Sequence, residues 1–311
     1  MKVSEHVHQL KIEFQVTEEI KRFVYIYLIF GKKGVYLIDT GVDGAEQLIR
    51  EYLEQYGRSL PMIKEIFLTH AHPDHLGAAY ELKKESGCKV WGSKEEQKWM
   101  EDVNLEYKER PIPNYYTLLN KSVKLDGTYV NGEFRKLEEG ITLQVLATPG
   151  HSAGSTSFYF LEEQVIFVGD AIPIVGDIPI YTSFHDSMKS LRTIKNIKPV
   201  TWYCPAWGEV WSVEEGGIRI AQAETFLQKI DDTVKKVRKE RIKEARIEAR
   251  KEQENQREIE RQLVNENTTE KGDNNIANKK IILEVCKRMN MEKFLMNPLF
   301  RRSLCANIDN I

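Results

Sequence analysis

The residues best able to do chemistry are gathered in one heptapeptide, Thr69-His70-Ala71-His72-Pro73-Asp74-His75, which holds three of the chain's seven histidines. At this histidine frequency an HxHxDH string arises by chance in well under about 1 in 1,000 such chains. Imidazole nitrogens and carboxylate oxygens are the donors that Zn²⁺ and related first-row ions prefer. The ordinary alternative is a loop that its histidines merely cap. Position argues against it. The apolar, β-prone run Ile63 to Thr69 leads straight into the string and a helical pattern follows. The side chains therefore emerge together at the C-terminal edge of a strand, where α/β sheets build their sites.

Positioning such a loop requires a sheet, and the flanking sequence supplies one. Met1 to Phe14 alternates polar and apolar residues and reads as an opening strand. Phe23 to Phe30 and Val35 to Asp39 are strand-like, joined by the turn Gly31-Lys32-Lys33-Gly34. Helical spacing runs from Ala45 to Tyr56, ending at Gly57, and from Leu76 to Glu85, stopping at Gly87. Further strands are expected at Lys89–Trp91, Thr142–Ala147, Thr156–Leu161, Val165–Val168 and Thr201–Cys204, with a helix over Met188–Ile197 between the last two. This alternation predicts an α/β sandwich. The segment Glu95 to Asn131 has weak periodicity and several aromatics, and reads equally as a lid over a pocket or as a packed excursion.

After Gly216 the composition changes. Phe226, Ile230, Val234 and Val237 form an apolar stripe that lets a helix dock one face on the domain. Beyond it, lysine, arginine and glutamate interleave, as on a solvated helix. The expected organisation is a main domain at 1–230, a long charged helix at 231–264, a flexible linker at 265–278 and a C-terminal helical hairpin at 279–311, broken at Pro298. The hairpin must dock on the domain or on a second copy, which makes a homodimer one expectation.

The chain of 311 residues is 41% hydrophobic and 30% charged, with a net charge of −2. That near-neutrality gives no electrostatic case for nucleic acid or anionic membranes. No run approaches the roughly 18 apolar residues of a membrane span, and the N-terminus lacks a signal-peptide core. The four cysteines, Cys88, Cys204, Cys286 and Cys305, show no CxxC pairing and suit reduced thiols. A cytoplasmic location is expected.

With these motifs in view, Thr69 to Gly77 resembles the HxHxDH signature of the metallo-β-lactamase superfamily. Thr148-Pro149-Gly150-His151-Ser152 is similar to that family's third-histidine loop, and Phe167-Val168-Gly169-Asp170 to its bridging-aspartate loop. Val35 to Gly41 resembles the strand before the first motif, so the likeness spans about residues 5 to 230. It implies an αββα sandwich with a C-terminal helical extension. It further implies that His70, His72 and His151 hold a first metal, that Asp74 and His75 hold a second, and that Asp170 bridges them. A hydroxide shared by the two ions would then be the nucleophile, oriented by Asp74 as the catalytic residue. The implied cofactor is zinc, as one or two ions, with manganese or iron as alternatives. Asp39 is a candidate for fixing the histidine loop, with turn capping as the ordinary alternative.

One departure matters. The family places a last histidine after the final core strand, and here Pro205-Ala206-Trp207-Gly208-Glu209 puts Trp207 in that place. Indole cannot ligate a metal. Glu209 and His185 are candidate replacements, with surface or capping roles as the alternative for each. Arg301 and Arg302 could meet an anionic substrate, or serve as surface solubilising groups. The leading expectation is hydrolysis of a small thioester, lactone or related ester. The alternatives are a mononuclear iron persulfide dioxygenase, a phosphodiesterase, and a non-catalytic metal-binding interaction protein. β-Lactam hydrolysis is disfavoured by the missing export signal.

Overall fold

The computed structural model describes residues 1–17, 19–262, 281, 284–289, 291, 299–300 and 302–304. The elements run β1 (Val7–Gln15), β2 (Lys21–Phe30), β3 (Val35–Ile38), α1 (Ala45–Gln55), β4 (Ile63–Phe67), α2 (Pro73–Leu76), α3 (Ala79–Ser86), β5 (Lys89–Gly92), α4 (Gln97–Glu101), α5 (Val103–Glu109), α6 (Tyr115–Leu118), β6 (Gly127–Thr128), β7 (Phe134–Glu138), β8 (Ile141–Ala147), β9 (Thr156–Phe160), β10 (Val165–Gly169), α7 (Phe184–Asn196), β11 (Trp202–Pro205), β12 (Trp211–Ser212) and α8 (Val213–Gln262). By their contacts they divide into two compact units: residues 1–177 with 185–224, and residues 178–184 with 225–311.

The first unit is an α/β sandwich. Strands β1 to β6 form one sheet in sequence order, and β12-β11-β10-β9-β8-β7 form the other. Alternation decides which residues meet between the sheets. Tyr27, Ile29, Tyr36, Ile38 and Phe67 of the first sheet pack with Leu143, Val145, Phe158, Phe160 and Phe167 of the second. The opposite face of the first sheet, with Ile26, Leu28, Leu37 and Ile66, is covered by Ile49 and Leu53 of α1, Leu82 of α3 and Met100 of α4. Each fully buried side chain of this kind contributes about 1.5–3 kcal/mol. The β3–β4–β5 pairs are parallel, as is β10–β11. The C-terminal ends of β3 and β4 in one sheet and β10 and β11 in the other therefore carry the loops that matter.

Several elements differ from the sequence reading. The helix expected over Leu76–Glu85 is two helices, α2 and α3, separated at Gly77. A Cβ on Gly77 would run into the backbone of Val42, Asp43 and Leu118, so this position is a close approach of three chain segments. The segment Glu95–Asn131 packs: Met100, Val103, Tyr115, Leu118, Leu119, Val123 and Leu125 are all buried in the helical face of the core. Strand β7 was not foreseen, and its mixed exposure is that of an edge strand. Helix α8 begins at Val213, ahead of the expected change at Gly216. Gly216 lies inside it because the Tyr203 ring of β11 occupies the space of any Cβ there.

In the second unit, Ile230, Val234 and Val237 of α8 pack with Ile281, Val285, Cys286, Met291, Phe300 and Leu304. Ile178, Phe226 and Met289 also pack against this cluster, so the stripe's described partners include the chain's own C-terminal residues. Residues 265–278, Pro298, Arg301 and Cys305 lie outside the described residues. Cys88, Cys204 and Cys286 are all buried. Among the described residues no helix is long and apolar enough to cross a membrane.

Candidate metal centre

Five loops at the strand ends converge on one spot. Asp39 follows β3, the heptapeptide follows β4, His151 follows β8, Asp170 follows β10 and Trp207 follows β11. Parallel pairing places these ends at the same edge, which is why residues far apart in sequence meet.

Three imidazoles meet at the centre. His72 Nδ1 lies 2.9 Å from His70 Nε2 and 2.9 Å from His151 Nε2. A tetrahedral zinc with bonds of about 2.0–2.1 Å holds its ligand nitrogens about 3.3 Å apart, so small outward shifts would admit an ion. His75 Nε2 stands 3.4 Å from Asp170 Oδ1 and 3.6 Å from Asp74 Oδ2, and Asp170 Oδ2 is 3.3 Å from His151 Nε2. All of the sequence-designated ligands are thus brought together. His70, His72 and His151 form one group of converging donors, and His70, His75 and Asp170 a second. Glu209 and His185 are exposed and join neither group.

The ring orientations follow from a layer of hydrogen bonds behind them. Asp39 Oδ1 accepts from the Thr69 backbone N–H at 2.7 Å, and Oδ2 accepts from the Thr69 hydroxyl at 2.8 Å. That hydroxyl has given its only proton to Asp39, so at 2.9 Å it accepts from His70 Nδ1–H and leaves Nε2 with its lone pair turned inward. His75 Nδ1–H likewise donates to Asp39 Oδ2 at 2.8 Å. Asp39 reaches all three partners from a left-handed backbone, φ 61°, which aspartate tolerates better than most residues.

The donor set fits a divalent cation. His75 Nε2 and Asp170 Oδ1 are buried and have no hydrogen-bond partner among the described residues. With Nδ1–H spent on Asp39, the inward Nε2 of His75 faces two carboxylates, an arrangement that needs a positive charge between them, as a proton on Nε2 or as a cation. The electrostatics agree. Burial opposes a charge on His75, but Asp170, Asp39 and Asp74 outweigh it and hold its pKa well above the usual imidazole value. His70 and His72 are driven the other way, by burial first and neighbouring positive charge second, and keep their lone pairs free. Burial raises Asp74, whereas for Asp170 the opposing pull of His75 and His151 prevails and keeps it ionised.

Two contributors carried no motif. Glu96, only 3% exposed, accepts from Ala71 N–H at 2.8 Å and from Gly154 N–H at 2.9 Å. One carboxylate thereby ties the His70–His72 loop to the His151 loop. Arg110, at the end of α5, is near enough for its charge to act on His70, His72 and Asp74. Nothing in their sequence surroundings marks either residue, because their partners are backbone amides and groups distant along the chain. Helix α7 supports the His151 loop from behind, with Ser190 Oγ donating to Pro149 O at 2.6 Å.

Comparison with known proteins bears on the family and the fold. The family model described as "Metallo-beta-lactamase superfamily" matches residues 20–217. The chain is 35% identical over 143 residues to the hydroxyacylglutathione hydrolase GloC of Haemophilus influenzae, covering 45% of this chain and 62% of that relative. It is 28% identical over 214 residues to the probable metallo-hydrolase YybB of Bacillus subtilis, covering 67% and 90% respectively. A metallo-beta-lactamase family protein from Thermus thermophilus shares the fold with a TM-score of 0.66 at 17% identity, covering 98% of this chain and 92% of that one. On its motifs, its sandwich and the match over residues 20–217, the chain belongs to the metallo-beta-lactamase superfamily.

Proposed function

We propose that this protein is a metal-dependent hydrolase of a thioester, lactone or related small ester, with thioesters favoured. The observation that carries the reading is the convergence of three imidazole nitrogens beside His75 Nε2 and Asp170 Oδ1, neither of which has a hydrogen-bond partner among the described residues. The substrate class is supported by relatives named as hydroxyacylglutathione hydrolases, whose namesake substrates are thioesters.

His70, His72 and His151 would hold the metal, with Asp170 beside them and Asp74 and His75 on the far side. When bound, the metal supplies Lewis acidity and brings the pKa of a coordinated water toward about 7. Asp74 keeps part of its carboxylate accessible, with 18% of its side chain exposed, and serves to orient the attacking water and accept its proton. Asp39 and Thr69 hold His70 and His75 in the tautomers that point Nε2 inward. Arg110 adds positive charge that acts on His70, His72 and Asp74. For a thioester the C–S bond breaks, a C–O bond forms from water, and the proton ends on the departing thiolate. The products are a carboxylic acid and a thiol.

The test is elemental analysis of protein purified without added metal, paired with assays on a hydroxyacylglutathione and a simple lactone. Bound zinc or manganese, with hydrolysis abolished in His72→Ala, is the expected result. One iron per chain with oxygen consumption on a persulfide and no ester hydrolysis would replace this reading with the dioxygenase. No bound metal would leave a non-catalytic binding role.

A further inference from the structure

Asp170 presents its two oxygens to different neighbours. Oδ1 faces His75 Nε2 at 3.4 Å. Oδ2 faces His151 Nε2 at 3.3 Å and also accepts a hydrogen bond from Trp207 Nε1 at 3.1 Å. An indole N–H is a donor only and carries no lone pair for a cation. Its bond occupies one of the two lone pairs on Oδ2, leaving one. An oxygen in that condition can serve a single ion but cannot link two.

The donors on each side are then unequal. On one side stand the three converging nitrogens of His70, His72 and His151, with Asp170 Oδ2 beside His151 as a fourth donor. On the other stand Asp74 Oδ2, His75 Nε2 and Asp170 Oδ1, and Trp207 adds no fourth. Nor is the indole free to swing away. Its ring packs edge-on to Phe14 with centroids 6.4 Å apart and tilted on Phe23 at 6.2 Å. The Arg22 guanidinium lies 5.9 Å from its centroid and is itself tied to Asp177 at 3.4 Å.

We propose that Trp207 makes this a one-ion centre at rest, with a single divalent ion held tightly by His70, His72, His151 and Asp170 Oδ2 and a second taken only weakly on the Asp74–His75 side. The inference rests on the metal-centre reading above. Trp207 is a positioning residue here, acting through Asp170 on how many ions the chain retains.

The test is zinc binding to the metal-stripped full chain, by titration calorimetry and by elemental analysis after dialysis. The wild type retains one zinc per chain after dialysis, with a second and much weaker step in the titration. Trp207→His, which adds a ligand nitrogen, retains two. Trp207→Phe keeps the aromatic packing and frees the second lone pair of Oδ2 to reach the other ion as well, so its second step tightens. Two tightly held ions in the wild type would overturn the proposal, as would a folded Trp207→His that retains one. If Trp207→His loses the wild-type circular dichroism spectrum, Trp207→Phe decides, and an unchanged second step overturns the role assigned to the indole. A wild type holding no zinc would instead remove the metal-centre reading on which the inference stands.

Discussion

Asp39 Oδ2 accepts the Nδ1–H of His75 at 2.8 Å, and this one bond turns the other ring nitrogen toward Asp170. The same carboxylate holds Thr69 through both its amide and its hydroxyl. A single buried aspartate at the end of β3 thus sets the orientation of two histidines at the end of β4.

Asp39→Asn tests that relationship without disturbing the backbone, since asparagine also tolerates a positive φ. An amide can accept through one oxygen only, and its NH₂ would oppose the N–H and O–H donors now aimed at it. Zinc affinity is expected to fall about 10–100-fold while the fold is retained. Calorimetry on the metal-stripped variant decides, and an affinity equal to wild type would reduce Asp39 to a turn cap.

Glu96 joins two loops, and its variants separate charge from connection. Glu96→Ala leaves two buried N–H groups unmet and should destabilise the protein by about 1–3 kcal/mol. It should also lower metal retention by releasing the His151 loop. Glu96→Gln offers one carbonyl oxygen for two donors and should fall between. Urea unfolding midpoints with zinc content on the same samples read both effects. Loss of stability with full metal retention would show that the tie does not position the ligands.

Gly150 precedes the third histidine with φ 134°, and an added Cβ would sit 2.6 Å from the Ser187 Cα of α7. Gly150→Ala must therefore push the loop away from α7 or accept strain of about 1–3 kcal/mol. The expected result is a largely folded protein with much reduced metal content and hydrolysis. A variant with wild-type metal content would show that the loop adjusts without moving His151.

Glu106 gives a pH signature away from the ligands. Burial pushes its carboxyl up to about 8, outweighing the Tyr115 hydroxyl that donates to it at 2.7 Å. The unfolded chain releases this proton near pH 4.5, so between about 4.5 and 8 the folded state binds the additional proton. The contribution is full below about 4.5 and is lost as pH rises through about 8, amounting to a few kcal/mol at most. Glu106→Gln cannot ionise and should flatten that part of the stability curve. Denaturant midpoints across this range measure it, and identical pH slopes in variant and wild type would exclude Glu106 as the source.

Much of the centre was legible because its donors lie in short local strings. His70, His72, Asp74 and His75 share one loop, and the order of the later motifs pointed to His151 and Asp170. Trp207 was visible as a departure, but its hydrogen bond to Asp170 was not. Glu96 and Arg110 were missed altogether. Both act through partners remote in sequence, and a carboxylate that binds backbone amides leaves no pattern in its neighbours.

By itself the sequence determined the donor types, their spacing in the loop after β4, and the alternation that builds strands and helices. Those properties are local, set by side-chain chemistry and by periods of two or about 3.6 residues. Only the tertiary structure decided that Asp39 sits behind His75, that Glu96 ties two loops, and that an indole proton rests on Asp170. The physical reason is that parallel strands bring separate loops to one edge, and hydrogen bonds form between whatever groups that packing places within about 3 Å of each other.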